Sequence, residues 1–269
     1  MAVGLSLTWG MLRVINLAHF AMILLSGYLT YEVTTSLRVD PLLTLLVTAP
    51  LMFVIGAALQ WGFQVRRVSE FNSLLVTFGL LIVTIQIITN RWSADFRRLP
   101  PELNPYATGS VAVGPLVFPT STLIAFAFAV AVVVVGHLAL ERTYPGRALR
   151  AFAQDRAIAA AFGINHERLA MVLSGAAGAT AAVAGMLFAV ESTLTPSVAF
   201  EWVGIVFAVV IIGGVGNIIG SLLAGGLVMM VASVVSVAWS PALAPFVVFS
   251  AIVGALLFRP HGLFVRKRA

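Results

Sequence analysis

The sequence predicts an all-α polytopic membrane protein of about seven to eight transmembrane helices, one broken at a glycine-rich turn, with a surface helix on one side. Three observations point there. Hydrophobic residues make up 60% of the chain, its mean hydropathy is +1.04 and only 10% is charged, whereas soluble domains are about 45–50% apolar. The apolar residues fall in runs of about twenty, the length that crosses a hydrocarbon layer roughly 30 Å thick. The charges that remain are gathered between the runs.

In chain order, residues 1–12, "MAVGLSLTWGML", are apolar, but twelve helical residues rise only about 18 Å and cannot cross alone. Candidate spans follow at 18–34, 41–63, 72–90, 119–140, 169–190, 202–214, 218–238 and 242–258. The pair 202–214 and 218–238 is separated by "GGVGN", Gly213 to Asn217, which reads as a tight turn or as one broken helix. Residues 91–118 form the one sizeable loop on their side, where Pro100, Pro101 and Pro105 forbid a continuous helix and "SVAVG" permits a short hairpin. The whole chain, 1–269, reads as a single transmembrane domain.

Charge orients it. The 11–17 connection, the loops 64–71 and 141–168 and the tail 259–269 hold Arg13, Arg66, Arg67, Arg142, Arg147, Arg150, Arg156, Arg168, Arg259, Arg266, Lys267 and Arg268, twelve of sixteen basic residues. Arg38, Arg91, Arg97 and Arg98 lie opposite. Cytoplasmic loops carry the excess of Lys and Arg, so loop 141–168 and the C-terminus are expected in the cytoplasm and loop 91–118 outside.

Absent chemistry narrows the function. There is no cysteine, hence no disulfide or thiolate site. The sole lysine, Lys267, lies in the tail, so no phosphate-binding loop of the G-x-x-x-x-G-K-[ST] kind exists. His19, His137, His166 and His261 lack metal-ligand spacing. Glu32, Glu191 and Glu201 fall at span ends, which weighs against a carboxylate-driven, ion-coupled carrier. No nucleophile pairs with a base, and the basic balance follows from loop charge rather than from nucleic-acid binding.

What remains is polar residues and small-residue ladders. Thr77 and Gln86 lie within a span, where a polar side chain faces a wet pathway or bonds to a neighbouring helix. Asn16 and His19, in "INLAHF", fall near the cytoplasmic boundary, where water would satisfy them. Ser174, Gly178 and Ala182, then Gly216, Gly220 and Ala224, recur at four-residue spacing. Such ladders let helix backbones approach closely in lipid, either as static packing or as a mobile interface around a pathway; Gly213 and Gly214 join the second.

Loop 141–168 carries eight of the chain's 26 charges in 28 residues. Residues 147–162 are Ala-rich and free of Pro, which favours one helix. Gly163 suits a left-handed stop, and Asn165 suits the cap of the next helix, with Glu167 in its first turn.

"GRALRAFAQDRAIAAAFGIN" resembles the signature loop of the branched-chain amino acid (Liv-type) ABC-transporter permeases. "GLSLTWGMLRVINLAH", "LLVTFGLLIVTIQ" with "DFRRLP", "VFAVVIIGGVGNIIGSLLAG" and "FRPHGLF" agree in the same order, over nearly the whole chain, and together resemble the first of that system's two permeases. One departure is Phe20, where the family reads N-x-A-H-G. The resemblance implies a permease subunit of a binding-protein-dependent importer in a bacterial inner membrane. Its partners would be a second permease, two ATPase subunits carrying ATP and Mg, and a periplasmic binding protein. It implies ATPase coupling through Gly146, Arg147, Arg150, Ala151, Gln154, Asp155, Ala159, Ala160, Gly163, Ile164 and Asn165, and Arg97 and Arg98 as candidate contacts of the binding protein. Asn16, His19, Thr77, Gln86, Gly178, Gly213, Gly214, Gly216, Asn217 and Gly220 are the candidates for pathway or packing. No cofactor is expected on this chain. Branched-chain amino acids lead as cargo, with other amino acids, amides and urea behind them. The resemblance also implies that residues 1–12 end a longer first helix, so the native chain is expected to extend upstream of Met1; a half-inserted helix covered by a partner is the alternative. The competing class is a self-contained carrier or channel for a small polar solute.

Overall fold

The computed structural model describes residues 1–114 and 116–258; the expected cytoplasmic tail 259–269 lies outside the described residues. The elements are α1 (Ala2–Leu7), α2 (Ala18–Leu37), α3 (Leu45–Val65), α4 (Glu70–Trp92), β1 (Ser110–Val113), β2 (Leu116–Pro119), α5 (Thr120–Arg142), α6 (Tyr144–Gln154), α7 (Arg156–Ala161), α8 (His166–Glu191), α9 (Val198–Gly213), α10 (Ile218–Ala238) and α11 (Ala244–Phe258). All eight expected spans are helices. Among the described residues, five stretches are long and apolar enough to cross a membrane: Pro41–Val65, Glu70–Trp92, Thr120–Arg142, His166–Glu191 and Ile218–Ala238. α2 is 20 residues long, but Tyr28, Ser26, Thr30 and Thr34 make it more polar, and all four are buried.

Local chemistry sets the helix starts. Asp40 accepts from the Leu42 amide at 2.8 Å with Pro41 at the first helical position, where a missing N–H costs nothing. Ser69 accepts from the Asn72 amide at 3.2 Å, and Glu70 sits in the first turn of α4. Asn217 does the same for α10, through the Gly220 amide at 2.9 Å. Between α9 and α10, Gly214 and Gly216 take φ of +88° and +82°, a conformation glycine adopts without steric cost. The glycine stretch is therefore a tight turn joining two separate helices, not a bend in one.

α8 is the centre of the bundle, lying against α3 and α2. Its small residues make this possible. A Cβ on Gly178 would overlap the Met52 carbonyl oxygen, and one on Gly56 of α3 would overlap that of Ser174. Ser26 of α2 donates to the Ala182 carbonyl of α8 at 3.1 Å. Within this chain the ladder is close backbone packing, the driving term for helix association in lipid. The first segment is likewise interior. α1 and the π-helical turn Thr8–Leu12 pack among α8, α9 and α10 and end at Arg13 in a left-handed conformation, φ +57°. Phe20, at the family's glycine position, is fully buried and stacks on Phe207 of α9 at 6.5 Å between centroids.

Apolar side chains face outward on the periphery: Leu46, Val54 and Trp61 on α3, Leu75 and Val83 on α4, Phe126 and Val135 on α5, Met230 and Val237 on α10. In water such a surface would aggregate; against lipid it is the expected exterior.

Candidate functional site

Loop 141–168 is built from its first residue. Thr143 accepts from the Gly146 amide at 3.2 Å, with Pro145 beside it in the first turn. α6 then buries one face, Gly146, Ala148, Leu149 and Phe152, and leaves Arg147, Ala151 and Gln154 exposed. Gly146 is where α6 touches α5, since a Cβ there would overlap the Ala139 carbonyl oxygen. Arg150 folds back and donates to the Leu140 carbonyl at 2.8 Å, with Glu141 at 3.7 Å and His137 on the same carboxylate at 3.1 Å. Phe152 stacks in parallel on His166 at 3.7 Å, which joins the island to the start of α8.

The single helix expected over 147–162 is corrected: Asp155 leaves the helix at φ −148°, ψ 110°. Its Oδ1 accepts from the Ile158 amide at 2.9 Å, so it ends α6 and caps α7. Asp competes for local backbone in this way, which is why it disfavours helix interiors. α7 closes at Gly163, φ +75° with nothing within 4 Å of a Cβ built there. Asn165 then caps α8 through the Arg168 amide at 3.1 Å, with Glu167 in the first turn. Ala159 is buried, Ala160 exposed and Ile164 half-buried. Two large apolar side chains project from this short helix and its end, Ile158 at 59% and Phe162 at 82% exposure. Residue types alone did not mark them. The signal is their four-residue spacing in a stretch that is otherwise Arg156 and alanine.

The polar candidates of the spans come to rest in different places. Asn16 and His19 are not hydrated at a boundary: they are 3% and 1% exposed. The 13–17 stretch turns back into the bundle, where Thr77 of α4 holds it, accepting from the Leu17 amide at 3.1 Å and donating to the Ile15 carbonyl at 3.3 Å. Thr77 thus has partners on an adjoining segment of this chain. Gln86 is exposed on α4 and donates to Asn90 of its own helix at 2.9 Å. Gly216 lies against Gly10, where an added Cβ on Gly10 would overlap its Cα, and its amide donates to Ser6 at 3.0 Å. Gly213 and Gly220 touch across the α9–α10 crossing. Gly10 and Ser6 were missed because apolar context hides a packing glycine.

At the opposite end, loop 91–118 is tied down. Arg97 exchanges both backbone bonds with Leu194, at 3.0 and 2.7 Å, and its guanidinium donates to the Trp92 carbonyl. Arg98 is exposed. Asn104 donates to the Val190 carbonyl at 2.9 Å and Tyr106 to Asp40 at 2.6 Å. Burial, this hydrogen bond and the neighbouring carboxylate push the Tyr106 phenol up to about 12. β1 and β2 form an antiparallel hairpin with Val111 opposite Phe118. Among the described residues no group of three His, Asp or Glu side chains could hold a metal ion.

Residues 1–258 match the sequence model of a family described as the permease component of the branched-chain amino acid transport system. Among similar proteins is the high-affinity branched-chain amino acid transport system permease protein LivH of Salmonella typhimurium, 25% identical over 98% of this chain and 90% of that protein. LivH of Escherichia coli is 26% identical and BraD of Pseudomonas aeruginosa 25% identical, each over the same shares of the two chains. No solved structure matches the chain.

Proposed function

This chain belongs to the branched-chain amino acid transport permease family, and from that premise we propose that it is the membrane subunit of an ATP-driven, binding-protein-dependent importer of branched-chain amino acids. The basic end faces the cytoplasm by the distribution of Arg and Lys, so the protein is a multi-pass subunit of a bacterial inner membrane. ATP and Mg are bound on two separate ATPase subunits, a second permease completes the pathway, and a periplasmic binding protein delivers substrate to loop 91–118.

The observation that carries this reading is the α6–α7 island. A loop between two membrane helices has no need of two capped helices, a buried amphipathic face and a ring stack to the next helix. Ordered long loops are functional. This one leaves Ile158 and Phe162 exposed, and exposed apolar side chains on an ordered support mark protein contacts. Movement of an ATPase against them passes through α6, where Gly146 touches α5 and Phe152 touches His166 of α8.

The test is Ile158→Asp with Phe162→Asp. Both side chains are exposed, so the bundle is expected to assemble unchanged. Capture of the ATPase subunits by the tagged permease complex is expected to fall at least tenfold, and ATP-driven uptake with it. Undiminished capture and uptake would remove the island from the coupling path.

A further inference from the structure

A cavity of about 640 Å³ opens at the basic end, lined by Trp9, Gly10, Arg13, Ile15, Glu70, Phe71, Leu74 and Val215. Its size falls in the range of about 300–1,000 Å³ typical of small-molecule sites. In a chain that is 10% charged, its wall carries one cation and one anion, and the rest is aromatic or aliphatic apart from Gly10. The larger cavity, about 830 Å³ between α1, α5, α8, α9 and α10, offers only Thr180 and Ser221 as polar side chains. It has no charged side chain.

The walls of the smaller cavity are fixed by backbone contacts. Gly10 is pressed on Gly216, which sets Val215 in place. Thr77 holds the backbone of Ile15 and Leu17 from α4, the helix that also brings Glu70, Phe71 and Leu74. Arg13 is held by its left-handed turn, its amide donating to the Trp9 carbonyl at 3.0 Å. Three separate stretches of chain therefore converge on one opening with opposite charges on it.

We propose that this cavity is a binding site for a free aliphatic α-amino acid at the inner mouth of the permease, Arg13 taking the carboxylate, Glu70 the ammonium, and the apolar wall the side chain. The proposal rests on the permease reading and deepens it. A guanidinium recognises a carboxylate through paired N–H donors, and a carboxylate accepts from an ammonium. Trp9, Ile15, Phe71, Leu74 and Val215 supply apolar surface for a leucine, isoleucine or valine side chain. Arg13 and Glu70 are both exposed residues, and an exposed ion pair contributes modestly. The site therefore holds its ligand weakly and lets it go quickly, as the last position before release must.

The experiment is a saturation-transfer NMR titration of L-leucine on the assembled transporter in detergent, without its binding protein, beside ATP-driven leucine uptake by the same preparation in proteoliposomes. Arg13→Gln and Glu70→Gln are each expected to weaken leucine about fivefold, the factor corresponding to about 1 kcal/mol. Leucinamide, which lacks the carboxylate, is expected to be indifferent to Arg13→Gln. 4-Methylpentanoate, which lacks the ammonium, is expected to be indifferent to Glu70→Gln. A loss of fold would weaken all three ligands in both variants and would overturn the assignment of roles. A transporter that imports leucine yet shows no saturable leucine signal, or one that both substitutions leave unchanged, overturns the site and leaves the permease reading standing. A preparation with no ATP-driven uptake of any branched-chain amino acid overturns the reading itself, and the site with it.

Discussion

Thr77 is a single hydroxyl that accepts from the Leu17 amide and shares its one proton between the Ile15 and Leu74 carbonyls, and it fixes where the chain turns back between α1 and α2. Its side chain is fully buried. Thr77→Val keeps the shape but leaves the Leu17 amide unpaired, at a cost of about 1–3 kcal/mol. A lower thermal midpoint of the detergent-solubilised protein is expected, with the 13–17 stretch opened to proteolysis at Arg13; an unchanged midpoint and cleavage pattern would show the turn to be held elsewhere. The sequence marked Thr77 as a polar residue in a span but could not say what it bonds. A period read along one helix does not reveal a partner sixty residues away. The same limit misplaced Asn16 and His19, whose position near a charge boundary suggested water but which are buried.

At the scale of elements, the helices were legible because length and apolar content are local properties: all eight expected spans appear as helices with ends shifted by a few residues, five of them in stretches long and apolar enough to cross a membrane. The cap at Asn165 was legible for the same reason, since it stands directly before the run it starts, whereas Asn217, read only as part of the glycine turn, also caps α10. The break at Asp155 was not legible, since alanine propensity summed over sixteen residues outweighs one side chain that bonds its own backbone. Gly163 shows how much of the stop is conformational. Nothing lies within 4 Å of a Cβ there, so a substitution is resisted only by its positive φ, about 1–2 kcal/mol for most residues and less for Asn. Gly163→Asn is expected to retain uptake per ATP hydrolysed, whereas Gly163→Val is expected to lower that ratio severalfold with the complex still assembled. Equal ratios in the two variants would mean that the left-handed stop has no part in coupling. Gly178 is the contrary case, where the neighbouring Met52 backbone, not φ, excludes a side chain.

The whole molecule is a helical bundle with a lipid-ready exterior, an interior closed by glycine contacts, and two dissimilar ends. One end is a loop tied back by Arg97, Asn104 and Tyr106. The other carries the α6–α7 island, a charged cavity and, among the described residues, most of the basic ones. Nothing in the sequence can bind ATP through a phosphate loop, because the one lysine lies outside any such motif. In the proposed importer the energy comes from another chain. Radiolabelled leucine uptake into proteoliposomes measures this most directly, with the chain reconstituted alone, with the second permease, and with the second permease, both ATPases and the binding protein. Uptake is expected only in the complete assembly and only with ATP enclosed on the ATPase side. Leucine accumulation or exchange by this chain alone, at the rate of the full assembly and without ATP, would contradict it.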